Sequence, residues 1–151
     1  MKRTPVVLAA AALVAAGTLA IPAASASTGT PGTPGLTLLG INTGNPTPDG
    51  YIAFAFTLTN NSNRSGVISL AIMRPLYNTQ SHIFTCDRGG RDGLFCEPGD
   101  FVPGESMTSL IQVQVKDQPV APLVVKVRAC AMNEDTGVTG PCLLQKVPIA
   151  S

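Results

Sequence analysis

The chain is predicted to fold as an antiparallel β-sandwich of about seven strands with two local disulfides. Three observations carry this. Runs of alternating apolar and polar residues recur about every 8 to 15 residues with turn formers between them. No helical period of adequate length follows residue 26. Four cysteines fall two by two around turn-like segments in a chain that begins like an exported protein. A small barrel is the alternative that strand patterning leaves open.

The start decides the compartment. Lys2 and Arg3 precede an uncharged, alanine-rich run over residues 6–21, and Ala24 and Ala26 are small residues at the positions read by signal peptidase. The run is short for a bilayer core of about 20 apolar residues. Residues 1–26 are therefore expected to be a signal peptide cleaved after Ala26, and the product to be secreted without a membrane anchor. Residues 27–35, which repeat Gly, Thr and Pro, are expected to be a flexible leader. Residues 36–151 form the single domain. Without residues 1–26 the chain holds 8 Lys+Arg against 9 Asp+Glu. These cations look scattered along the sequence, and nucleic acid and anionic membranes are not expected as partners.

The centre of the domain is residues 82–116, read as a hairpin with Cys86 and Cys96 on its arms, then a Pro-Gly corner, then a long strand. In that strand Met107, Ser109, Ile111, Val113 and Val115 share one face. Before it, residues 36–42 make a first strand, and the turn formers of residues 43–50 close it. Residues 51–59 alternate, with Ile52, Phe54, Phe56 and Leu58 on the core face. The polar turn of residues 60–66 leads to Ile68, Leu70 and Ile72; Pro75 is expected to stop that strand and residues 76–80 to form a loop. After residue 116 a turn at residues 117–119 leads into residues 120–131. There Val125, Val127 and Ala129 point inward and Cys130 lies on the polar face. Residues 132–141 are a loop, and residues 142–149 close the fold as an edge strand because Pro148 lacks a donor.

Four cysteines allow three pairings. Spacing favours Cys86 with Cys96 and Cys130 with Cys142. The first pairing sets Asp87 opposite Phe95 and Arg88 opposite Leu94; the second sets Ala129 opposite Leu143.

Three elements together resemble the bacterial Ig-like conserved-repeat domain, a domain of unknown function in secreted and cell-surface proteins. They are the strand over residues 54–59 ending in Asn60 and Asn61, the Cys86 and Cys96 hairpin, and Pro103, Gly104, Glu105 and Ser106 leading into an alternating strand. The resemblance implies an Ig-like sandwich serving as a spacer or adhesion module, and it brings no catalytic residues.

No catalytic constellation is expected. His82 is the single histidine, and no Gly-x-Ser-x-Gly elbow accompanies it. A zinc site at His82, Cys86 and Cys96 loses to disulfide formation. Asp87, Asp92, Glu97 and Asp100 match no calcium-loop spacing, and Arg88 and Arg91 interleave with them. No cofactor is expected. Asn60 and Asn63 begin glycosylation sequons in an exposed turn. Tyr77 and Phe101 are the aromatics placed in loops.

The leading expectation is a secreted, non-enzymatic Ig-like module that binds an extracellular protein or an envelope component. The alternative is a secreted protease inhibitor presenting the disulfide-braced loop between Cys86 and Cys96, with Arg88, Arg91 and Asp92 at its tip. The intact mass of the exported form tests the processing expectation. It should correspond to a chain starting at Ser27, and a start more than a few residues away counts against the signal peptide.

Overall fold

The computed structural model describes residues 25–28, 35–116, 123–133 and 139–149; of Ser25–Thr28, Arg91, Asp92 and Thr139 it describes the backbone. The described fold is all-β and contains no helix. Seven strands are long: β2 (Leu36–Asn42), β3 (Tyr51–Asn60), β4 (Gly66–Tyr77), β5 (Thr79–Cys86), β9 (Ser106–Val115), β10 (Leu123–Asn133) and β11 (Thr139–Ile149). Four short ones complete the set: β1 (Ser25–Thr28), β6 (Gly90–Asp92), β7 (Phe95–Glu97) and β8 (Asp100–Phe101).

One antiparallel sheet runs β1-β2-β3-β9-β5, and the other runs β11-β10-β4-β7-β6 with β8 paired to β4. Both sheets bury one face in a common core. From the first come Leu38, Phe54, Phe56, Met107 and Ile111; from the second come Leu70, Ile72, Val125 and Val127. The alternation of β3 is realised in full, since Ile52, Phe54, Phe56 and Leu58 are all buried. Burial of four such side chains removes several hundred Å² of apolar surface from water, at about 25 cal/mol per Å². As expected, β11 lies at a sheet edge.

Several sequence expectations are corrected. Pro75 does not end its strand: β4 runs on to Tyr77 through a bulge. Between Met73 and Tyr77 it takes four steps while its partner takes two, from Arg128 to Lys126. The bulge absorbs the missing donor of Pro75 without ending the pairing. The predicted loop at residues 76–80 is a tight turn on Asn78, whose positive φ of 61° and side-chain bond to the Val124 carbonyl reverse the chain into β5. Asn is among the few non-glycine residues that tolerate this geometry. Residues 132 and 133 belong to β10, so the predicted loop after residue 131 starts later. The turn at residues 117–119 and the loop tip around Gly137 lie outside the described residues. Phe101 is not a loop aromatic on the surface but a core residue at 0% exposure. Cys130 faces away from the core, as its parity requires, yet it is 1% exposed because it lies between Ala71 and Cys142 on its neighbours.

The sandwich is tied at both sides. On one side Gln145 of β11 meets β2: its Oε1 accepts from Asn42 Nδ2 at 2.6 Å, and its Nε2 donates to the Gly40 carbonyl at 3.1 Å. Gly40 permits this approach, since a Cβ there would lie 2.6 Å from Leu143 and 2.7 Å from the Gln145 amide. On the other side the Cys86–Cys96 disulfide joins β5 of one sheet to β7 of the other. The pairing is the expected one, but the cysteines are not opposed arms of one hairpin. The hairpin is β6–β7, in which Arg91, not Cys86, stands opposite Cys96 and Asp92 opposite Phe95. Cys130–Cys142 joins neighbouring strands in the expected register, with Ala129 opposite Leu143.

β1 pairs with the outer edge of β2, Ala26 opposite Leu39 and Ser27 opposite Leu38. Ser27 and Thr28, placed in the expected leader, are therefore strand residues, and the expected cut after Ala26 falls within β1. Residues 29–34 lie outside the described residues.

Two buried polar groups behave oppositely. Asn60, 2% exposed, donates from Nδ2 to the carbonyls of Arg64 (2.9 Å) and Phe101 (2.8 Å), while its Oδ1 accepts from the Ser62 backbone N–H and hydroxyl. Ser109 is fully buried among Met107 and Ile111, and its hydroxyl has no partner among the described residues. Asn60→Ala should cost about 2–4 kcal/mol by leaving buried acceptors unmet, whereas Ser109→Ala should be neutral or stabilising by up to about 1 kcal/mol. Denaturant unfolding of both variants measures the contrast; a destabilised Ser109→Ala would mean that the hydroxyl has a partner.

Candidate functional site

The first candidate is the braced loop singled out by sequence. Cys86 ends β5, the chain turns through Gly89 at φ 75°, and β6–β7 folds back beside β4. Gly89 is needed twice, for its left-handed backbone and for space, because a Cβ would stand 2.3 Å from the Glu97 carbonyl oxygen. Arg88 does not project freely. Its Nη2 donates to Glu105 Oε1 at 3.0 Å, with the two side chains 34% and 28% exposed. The other carboxylate oxygen, Oε2, accepts from the Val102 N–H at 2.8 Å. Arg91 and Asp92 are placed in β6 by their backbone, and their side chains lie outside what is described. Asp87 accepts from the Thr108 N–H at 2.8 Å and so pins the start of the loop to β9. Among the described residues no three His, Cys, Asp or Glu side chains gather in a way that could hold a metal ion.

The sequons part company in the fold. Asn63 is exposed, whereas the Asn60 amide is buried and committed to two carbonyls. Asn60 is therefore not in an exposed turn, contrary to its sequence reading.

The second candidate was not visible in the sequence. Three adjoining cavities open around the β4 bulge, of about 600, 370 and 430 Å³, and Arg74 lines all of them. Two are also lined by His82, which is half-buried on the same face of β5 as Phe84 rather than a plain surface residue. One of these runs between β5 and β7, where Ile72, Leu94 and Phe95 give it an apolar wall. The third lies on the outward face of the second sheet and brings Arg74, Lys126 and Arg128 together with Tyr77 and Leu144.

Strand register explains this cluster. Lys126 and Arg128 lie two residues apart on one face of β10, and Lys146 on β11 stands directly opposite Lys126. Tyr77 and Met73 stand opposite Lys126 and Arg128 on β4, and the bulge between them turns Arg74 toward the same face. Lys126 Nζ lies 5.5 Å from the Tyr77 ring centroid. Tyr77 is 51% exposed, so an aromatic surface adjoins the cations. Four of the eight cations beyond residue 26 are thus gathered on one face, which corrects the impression of scatter. The missing signal is long-range: Arg74 and Lys146 join Lys126 and Arg128 only through sheet pairing. Among the described residues the one ion pair is Arg88–Glu105, so no described carboxylate neutralises any of these four.

The opposite outward face differs in kind. Described strand positions there carry no charge: Thr57 pairs with Thr108 at 3.0 Å and Ser81 with Gln114 at 2.9 Å, while Leu39, Ile41, Ile83 and Leu110 are exposed apolar side chains.

No protein-family model, no curated protein and no solved structure matches the chain. The resemblance to the bacterial Ig-like repeat therefore rests on its motifs alone.

Glu105 supplies a pH test of the corner that supports the braced loop. The Val102 N–H first, and the Arg88 guanidinium second, hold its carboxyl below the ordinary value of 4.5, against a smaller opposing effect of burial. A depressed folded-state value means that the charged form stabilises the fold above pH 4.5, and that this contribution fades as pH falls through the lower value. Glu105→Gln should accordingly be less stable than wild type at pH 7, with the gap closing below pH 4.5. Melting curves at pH 7 and pH 3 check this; a gap that stays constant with pH would remove the carboxylate from the account.

Proposed function

We propose that the chain is a secreted, non-enzymatic Ig-like module that binds an extracellular or envelope component through the face around Arg74. The observation that carries this reading is the meeting of three cavities at the β4 bulge, one of them walled by Arg74, Lys126 and Arg128, which no described carboxylate neutralises. Ligand sites are concave, with an apolar lining and a few polar groups that converge, and this region has that form. The Ig-like assignment is supported by strand order. Counting the seven long strands as A to G gives A-B-E-D in one sheet and G-F-C in the other, the arrangement of a constant-type immunoglobulin sandwich. The β6–β7 hairpin is then an insertion between D and E, added at the free edge of C. Secretion is supported by two disulfides, which persist in oxidising compartments, and by the N-terminal pattern of the sequence.

The inhibitor alternative has the Cys86–Cys96 brace in its favour, while Arg88 is engaged by Glu105 and would have to leave it to enter a protease pocket. Trypsin titration separates the readings. The module should leave trypsin fully active at equimolar ratio, and stoichiometric inhibition would favour the loop.

For the main reading, the distribution of the protein between culture medium and envelope is the measurement. In cells producing the full chain, Arg74→Glu combined with Tyr77→Ala should move envelope-bound protein into the medium with no change in melting temperature beyond a few degrees. An unchanged distribution would exclude this face as the docking surface.

A further inference from the structure

We infer that the cavity walled by Arg74, Lys126, Arg128 and Tyr77 binds an organic phosphate: a phosphoryl group on the cations, its organic body against Tyr77, Leu144 and Met73. The inference deepens the reading of this face as a binding surface and names the chemistry it recognises.

Lys126 and Lys146 are directly opposed on neighbouring antiparallel strands, with Arg128 two residues along the same face. Like charges in cross-strand pairs are destabilising, and here the described residues supply no carboxylate to relieve them. Neighbouring strands lie about 5 Å apart, and alternate residues along a strand about 7 Å apart, so one small anion can meet more than one of these side chains. Arg74 is delivered to the same place by an irregularity of β4, and bulges commonly re-aim a side chain next to a functional site.

The ligand's charge follows from the number of cations. A single carboxylate carries one negative charge and offers two oxygens. A phosphoryl group carries nearly two near neutral pH, offers three acceptor oxygens, and matches the planar fork of arginine. Three cations on one cavity suit the second better. The footprint is also small: the cavity is about 370 Å³ and spans β4 with its bulge, β10 and Leu144 of β11. It holds one head group with a compact body, whereas a nucleic-acid strand is tracked by a groove with successive stacking platforms. Exposed Leu144 and half-exposed Tyr77 supply the apolar contact that separates an organic phosphate from the free ion.

The experiment titrates purified protein with phenyl phosphate, inorganic phosphate and phenol, followed by amide chemical shifts and by calorimetry. Phenyl phosphate should perturb Tyr77, Lys126, Arg128 and Leu144. It should bind on the order of tenfold more tightly than inorganic phosphate, and phenol should not bind measurably. Arg128→Glu should weaken phenyl phosphate at least about tenfold. Lys146→Glu replaces a like-charged cross-strand pair by an opposite one, so it should raise the melting temperature by roughly 1–3 °C while weakening the ligand. A variant that is more stable and binds less is not explained by misfolding.

The inference is overturned if phenyl phosphate leaves these residues unperturbed, if phenol binds as well as phenyl phosphate, or if both charge reversals bind like wild type. Preference for a short single-stranded DNA or for phosphatidylglycerol vesicles over phenyl phosphate overturns it as well. Phenyl phosphate binding by a protein that never associates with the envelope would keep this site and remove the envelope reading.

Discussion

The hydrogen bonds of Asn60 are the constraint on which the register of the first sheet depends. Its side chain closes the turn after β3 through Ser62 and Arg64 and reaches the Phe101 carbonyl at the end of β8. Its backbone N–H donates to the Glu105 carbonyl, and its carbonyl accepts from the Gly104 N–H. One residue therefore joins the Asn-rich turn and the Pro103, Gly104, Glu105 corner, two motifs that lie 40 residues apart and read as independent in the sequence. An aspartate could not donate to two carbonyls, and a serine is too short to reach both. With the corner fixed, β9 enters beside β3 in one register, Thr59 opposite Ser106 and Leu58 opposite Met107, and β5 is laid on the far side of β9.

What was legible in the sequence was whatever has a local period. Alternation placed the core faces of β3, β4, β9 and β10, and spacing paired the cysteines, because strand parity and short loops act over a few residues. What was hidden was set by partners distant in the chain. Phe101 looks like a loop aromatic because β8 has only two residues, too few to alternate, yet Asn60 draws that segment onto the core. Pro75 looks like a terminator because the rule concerns an unbroken ladder, and the bulge breaks the ladder around it. Cys86 and Cys96 look like hairpin partners because ten residues separate them, a distance that serves equally well to cross between two sheets.

The candidate site was illegible for the same reason. Lys126 and Arg128 are two residues apart, but Arg74 and Lys146 are remote from them in sequence, and the four become a patch only when β4, β10 and β11 are set side by side. In the loop that sequence did single out, the described side chains of Asp87 and Arg88 are engaged by the fold. Arg88 and Glu105 tie it to the corner, Asp87 ties it to β9, and the disulfide ties it to the second sheet. A segment held at so many points presents a fixed shape, which is what an edge hairpin needs to protect the free side of β4.

The position of the cavities follows from how the two sheets are closed. Along one side, Asn42, Gln145 and Gly40 draw β2 onto β11. Along the other, closure is made at both ends of β5: Cys86 meets Cys96, and the turn on Asn78 carries β4 of the second sheet directly into β5 of the first. Between these two closures the β4 bulge carries Arg74 and Pro75 out of the regular ladder. His82 and Arg74 line two of the cavities there, and Ile72 and Leu94 line one of these two. The cavities thus sit between the disulfide and the Asn78 turn, at the place where the bulge lets Arg74 line all three of them.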